Sequence, residues 1–231
     1  MTETGYGQFC PVAMAAEVLC TRWTVVLLRE MIAGSTRFND LRRGVPRMSP
    51  ALLSTRLKQL EEAGILARVQ SAEPGIAEYR LTPAGQELRE VVMCIGNWGQ
   101  RWAQQHLSPR NLDVSLLMWD MRRNLDTTPM PKRKCVIQFI FNDVASQRQN
   151  WWLIVAPGKP VDLCSVDLGL NVDLFVTCDL KTMTAIWMGL STVAIEKRCN
   201  RLMLTGAPEL ASRMQAWLGL SPFAREKKRV A

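Results

Sequence analysis

The sequence predicts two domains: an N-terminal winged helix (mainly α with a β-hairpin wing) followed by an α+β domain with a mostly antiparallel sheet. Three observations predict this. Up to about Gln105, helix-period apolar positions are punctuated by caps and stops in the order of helices, a hairpin and a longer helix. From Cys135 to Cys178, four runs are rich in β-branched and aromatic residues. Between them the polar segment HLSPRN breaks both patterns. The expected division is 1–106, a linker 107–112, and 113–231.

Each element has a local reason. Pro11 to Cys20 reads as a helix with proline in its first turn. In TRWTVVLLREMIAG, Thr21 is the expected cap, Gly34 the stop, and Trp23, Val26, Leu27 and Met31 the apolar face. A short helix FNDLRRGV closes at Gly44 and Pro46. In SPALLSTRLKQLEEAG, Ser49 caps, Pro50 suits the first helical position and Gly64 stops the helix. Leu53, Leu57 and Leu60 recur at i, i+4 and i+7, which sends Ala51, Ser54, Thr55 and Lys58 to the opposite side. ILARVQ and AEYRLT are two strands around the turn SAEPG. A longer helix follows Thr82-Pro83 and is expected to reach about Gln105.

In the second half, Asp113 to Asn124 reads as a helix with Val114, Leu117, Met118 and Met121 inward. CVIQFIF, WWLIVA, VDLCSV and VDLFVTC are strands. Asp179 caps a helix to Met188, and a shorter helix spans Val193–Lys197. RLMLTG is a strand and PELASRMQAWL a final helix.

Composition excludes several functions. Unbroken apolar runs such as Trp151 to Pro157 fall far short of the roughly 18 residues of a membrane span. The first ten residues have no basic region, so a mature cytoplasmic protein without membrane partners is expected. Seven cysteines at 10, 20, 94, 135, 164, 178 and 199 form no CxxC pair, and His106 is the only histidine. No phosphate-binding glycine loop, GxSxG or nucleophile–base pair is present. The protein is therefore expected not to be an enzyme, and no metal or other cofactor is expected.

Charge is concentrated. The net charge is +8, and residues 34–60 hold Arg37, Arg42, Arg43, Arg47, Arg56 and Lys58 against Asp40 alone. A basic excess confined to one segment reads as a phosphate-facing surface, with a solvated helical face as its alternative.

The stretches CPV, RW, RFNDLRRGVPRMSPALLSTRLKQLEEAGIL, EYRLTPAGQEL and NWGQRW resemble the HxlR family of bacterial transcriptional regulators over about residues 10–105. The resemblance implies a homodimer that binds double-stranded DNA at a palindromic operator. It also implies dimerisation through the helix after the wing and the first helix. The expected DNA-facing residues are Arg37, Arg42, Arg43, Arg47, Ser49, Pro50, Ala51, Ser54, Thr55, Arg56 and Lys58. Arg42, Arg43 and Arg47 are expected at phosphates. Ser49, Ser54 and Thr55 are expected at phosphates or base edges, with Ser49 also a cap. Arg56 has a salt bridge to Glu62 or its neighbours as its alternative. Two departures stand out: Ala51 replaces a basic residue often found there, and the wing tip offers Glu73 and no cation.

Val91, Ile95, Trp98 and Trp102 recur at i, i+4, i+7 and i+11, either as core or as a dimer seam. Two tryptophans favour the seam, where Trp98→Ala is expected to cost roughly 3–5 kcal/mol if the ring is fully buried. Cys10 precedes a helix N-terminus, which favours thiolate. In some members of the family a cysteine at this CP position is a redox switch; an unreactive thiol at a packed dimer edge is the preferred alternative.

The stretch VDLFVTCDLKTMTAIWMGLSTVAIEKRCNRLMLTGAPELASRMQAWL is similar to the sterol carrier protein domain, with Asn200 in place of a turn glycine. That resemblance implies an apolar ligand cavity. Its lining is expected to come from some of Trp119, Met121, Phe139, Trp152, Phe175, Trp187 and Met188, and the ligand is expected to be a hydrophobic small-molecule effector. The function read from the sequence is a homodimeric, effector-modulated DNA-binding regulator. The alternative is a lipid-binding or assembly module whose winged helix serves dimerisation or protein contact.

Overall fold

A computed structural model describes residues 5–71, 73, 75–103, 107 and 111–229. The chain divides into two compact units, residues 1–96 and 97–231. Ala72 and Pro74 of the wing turn, residues 104–106 and residues 108–110 of the expected linker lie outside the described residues.

The first unit begins with α1 (Pro11–Leu19), α2 (Thr24–Ile32), α3 (Phe38–Gly44) and α4 (Pro50–Glu62). Strands β1 (Leu66–Gln70) and β2 (Ala77–Leu81) form an antiparallel hairpin, and α5 (Pro83–Trp102) follows. Helix α5 starts in this unit and its last turns belong to the second. Its described part ends at Trp102, and the end expected near Gln105 lies outside the described residues. The expected Thr21 cap is not used. Thr24 opens α2 behind Trp23, which has φ 77° and offers no side-chain cap. A tryptophan in the left-handed region carries no sequence signal, since that conformation is ordinarily left to glycine and asparagine. The buried face of α2 is Thr24, Leu27, Leu28, Glu30 and Met31, and Val26 is exposed.

The core of this unit joins Leu27, Leu28 and Met31 of α2 to Leu41 of α3, Leu53, Leu57 and Leu60 of α4, and Leu66 and Val92. Burying the three α4 leucines orients the helix, because their i, i+4, i+7 stripe can face only one way. A buried charge fixes the turn before it. Glu30 is fully buried with Arg29 2.5 Å from its carboxylate, and Arg29 also donates to the Gly44 carbonyl at 3.1 Å. A Cβ on Gly44 would lie 1.8 Å from Glu30 Oε2, so only glycine lets α3 end against this carboxylate. The wing is joined to the body by Tyr79 N–H donating to Thr36 O at 2.8 Å.

The second unit contains α6 (Val114–Asn124), β3 (Cys135–Phe141), a 3₁₀ turn at Ser146–Arg148, β4 (Asn150–Val155), β5 (Asp162–Cys164) and β6 (Leu174–Cys178). It continues through α7 (Leu180–Trp187), α8 (Val193–Arg198), β7 (Leu202–Gly206), α9 (Pro208–Ser212) and α10 (Met214–Trp217). The sheet order is β5-β4-β3-β6-β7, parallel only between β3 and β6. Asp179 caps α7 as expected, Asp113 lies outside α6 as its cap, and Asn200 takes φ 57° in the turn before β7. The single final helix expected from sequence is two, broken at Arg213. Among the described residues no single helix is long and apolar enough to cross a membrane.

Strand register divides the residues expected to line the ligand pocket between the two faces of the sheet. Phe139 pairs with Trp151 and Val176, whereas its neighbour Gln138 pairs with Trp152 and Phe175. Paired residues share a face and successive residues alternate, so Phe139 lies on one face of the sheet and Trp152 with Phe175 on the other. No single cavity takes all seven residues. Phe139, Met121 and Trp187 belong to the core between the sheet and its helices, with Met188 packed at its margin. Trp119, Trp152 and Phe175 lie outside that cluster, and the Trp119 ring carries the Arg122 guanidinium 4.2 Å from its centroid.

Candidate nucleic-acid interface

The basic stretch lies on α3, α4 and the turn between them, with its N-terminal residue Arg37 bridged to Glu78 of the hairpin. Ser49 caps α4 by accepting from Leu52 N–H at 3.2 Å, and Pro50 occupies the first turn. Ala51, Ser54, Thr55 and Lys58 are exposed, opposite the buried leucines. Arg42, Arg43 and Arg47 are exposed on α3 and the turn. The structure thus brings ten of the eleven expected residues to α3, α4 and their connection, with Arg37 at the start of α3.

Their side chains are not equally available. Arg37 lies 2.5 Å from Glu73 of the wing and 3.9 Å from Glu78 of β2, and hydrogen bonding to Glu73 raises its pKa. Arg43 approaches Asp40 at 3.3 Å in an exposed pair of little energetic weight. Arg56 does not pair with Glu62. Its Nη1 donates to Gln59 Oε1 at 2.5 Å, and Lys58 takes Glu62 at 3.6 Å. The Thr55 hydroxyl donates to the Ala51 carbonyl at 3.0 Å. The wing carboxylates that occupy Arg37 were missed as partners, because 36 residues separate Arg37 from Glu73 and only the fold joins them.

Outside this face, Val91, Ile95, Trp98 and Trp102 of α5 are all exposed in the single chain, Trp98 at 62%. The 3–5 kcal/mol expected for a fully buried Trp98 ring therefore has no source within one chain. Phe9, Val12 and Met14 at α1 are likewise exposed, and α1 buries none of its residues. Cys10 stands at the N-cap of α1, half-buried, where the Ala13 and then the Val12 backbone N–H hold its thiol pKa below the ordinary value. Among the described residues no group of His, Cys, Asp or Glu is placed to hold a metal ion.

Three helices with a buried turn, a capped exposed second helix of the pair and a following hairpin define a winged helix-turn-helix unit. The HxlR-like helix-turn-helix family matches residues 18–107. An uncharacterized HTH-type transcriptional regulator of Synechocystis is 35% identical over 104 residues, which is 45% of this chain and 76% of that relative. The Bacillus subtilis regulator YdeP, named in the same terms, is 32% identical over 94 residues, 40% of this chain and 73% of its own length. The solved structure of the redox regulator HypR in its reduced form has 33% identity, covers 39% of this chain and 91% of its own, and gives a TM-score of 0.37. The chain belongs to the HxlR-like helix-turn-helix family.

Proposed function

We propose that the protein is a homodimeric, sequence-specific DNA-binding transcriptional regulator. In this reading the C-terminal unit is a sterol-carrier-like domain that takes a hydrophobic effector. The observation that carries the DNA reading is the exposed, capped α4 with Arg42, Arg43 and Arg47 beside its N-terminus. In helix-turn-helix proteins the N-terminal residues of the second helix meet base edges while neighbouring cations hold phosphates. The exposed apolar faces of α1 and α5 support the dimer, since contiguous exposed apolar surface marks an association site.

The effector reading rests on the interior between the sheet and its helices, where Met118, Met121, Met183 and Met214 are fully buried. Unbranched thioether side chains re-pack at low cost around a guest. A route to the dimer helix exists within the same unit. Gln100 donates to the Met188 carbonyl at 3.3 Å, and Arg101 meets Glu226 at 2.6 Å. Arg229 N–H donates to the Arg101 carbonyl at 2.9 Å. A guest that moves the end of α7 would therefore move the last turn of α5.

The test is retention of the full chain on random-sequence DNA against salt, with tryptophan fluorescence followed during titration with fatty acids, sterols and aromatic compounds. A steep salt dependence is expected. Retention indifferent to salt overturns the DNA reading in favour of an assembly module. Unchanged fluorescence and DNA affinity with every compound overturns the effector.

The wing pair gives a further expected result. Glu73 acts as an internal substitute for phosphate at Arg37. Glu73→Gln is expected to free that guanidinium, steepening the slope of log K against log salt by about 0.9 for each protomer. An unchanged slope would show that Arg37 stays clear of the DNA.

A further inference from the structure

The geometry points to a particular chemistry for base reading, and the inference rests on the DNA reading above: α4 recognises thymine methyl groups through Ala51 and Thr55. The usual readers of purines are missing from its first two turns or engaged elsewhere. Bidentate recognition of guanine needs a free Arg or Lys fork, and that of adenine a free Asn or Gln amide. Arg56 is turned to Gln59, and the same contact takes the Gln59 carbonyl, which removes half of the amide pair that adenine needs. Lys58 lies further along the helix and faces Glu62.

What the exposed stripe offers instead is small and largely apolar. Ala51 presents a methyl. The Thr55 hydroxyl proton is committed to the Ala51 carbonyl at 3.0 Å, so Thr55 has no donor left for a base edge and offers its methyl and an oxygen that can only accept. Ser54, exposed beside them, carries a hydroxyl that accepts or donates and does not discriminate strongly. The C5-methyl of thymine is the one apolar feature of the major-groove edge, and alanine and threonine methyls are its complements. Positions facing Ala51 and Thr55 are therefore thymines, and the discrimination comes from methyl burial rather than hydrogen bonding.

The experiment uses the full chain. Duplexes enriched from a random-sequence library are resynthesised with deoxyuridine replacing one thymidine at a time, which removes only the C5-methyl. At one position per half-site for each of Ala51 and Thr55, the loss is expected to be about fourfold, the worth of one buried methyl. Thr55→Ser keeps the hydroxyl and its bond to Ala51 but removes the methyl, and it is expected to bind the thymidine and deoxyuridine duplexes equally at its position. Ala51→Gly is expected to do the same at the other, with thermal melting confirming that both variants fold. Equal binding of thymidine and deoxyuridine duplexes by the unmodified protein overturns the inference while leaving DNA binding intact. So does a deoxyuridine penalty that survives both substitutions. Failure to enrich any duplex, together with salt-independent retention, overturns the DNA reading itself.

Discussion

The Trp98→Glu variant is expected to sediment as a monomer at concentrations where the unmodified protein is a dimer. Its melting temperature is expected to stay close to that of the parent. Trp98 is 62% exposed in the single chain, so its replacement disturbs little of that chain's own packing. Exposed substitutions ordinarily stay within about 0.5 kcal/mol of neutral. In a shared seam the same position faces the partner's apolar surface, and a carboxylate there is desolvated without a counter-charge. Val91, Ile95 and Trp102 extend the stripe along three turns of α5, and Phe9, Val12 and Met14 offer a second apolar face. Loss of the dimer removes the second half-site contact, so affinity for a two-half-site duplex is expected to fall by about 10²-fold or more. Affinity for a single half-site is expected to stay unchanged. A variant that remains dimeric would place the seam elsewhere, and a parent that is monomeric at micromolar concentration would remove the palindrome from the reading.

The first unit could be read from its sequence because its punctuation is chemical and local. Ser49, Pro50 and Gly64 bound α4, and three leucines at helical spacing orient it. No comparable signal announces Trp23 in the left-handed region, so the start of α2 was misplaced. The sheet faces were hidden for another reason. Strand β3 is largely buried on both sides, so CVIQFIF shows no clean alternation. Adjacent Trp151 and Trp152 then look equivalent, and only their pairing with Phe139 and Gln138 separates them. Charge pairing was invisible where it bridges distant segments, as between Arg37 and the wing. The basic excess of residues 34–60 was real in sequence but is reduced in effect at Arg37, which meets the wing carboxylates Glu73 and Glu78.

That correction sharpens what the cations of α3 do. Replacing Arg42 and Arg43 together by alanine is expected to weaken binding to all duplexes alike and to flatten its salt dependence. Both side chains are exposed at the last turn of α3, and the Asp40 pairing of Arg43 is an exposed contact that phosphate displaces at little cost. Each phosphate neutralised contributes about −0.9 to the slope of log K against log salt. Two cations in each of two protomers therefore account for a change of about 3.6 in the dimer. The core is spared, since neither guanidinium contributes to the Leu41, Leu53 and Leu57 packing that holds α3 against α4. Sequence preference is expected to survive, because phosphate contacts position the helix and base edges specify the site. A steep slope that persists in the double variant would move the phosphate contacts off α3. A change in sequence preference would mean that these arginines reach base edges, with α4 displaced from the groove position assigned to it.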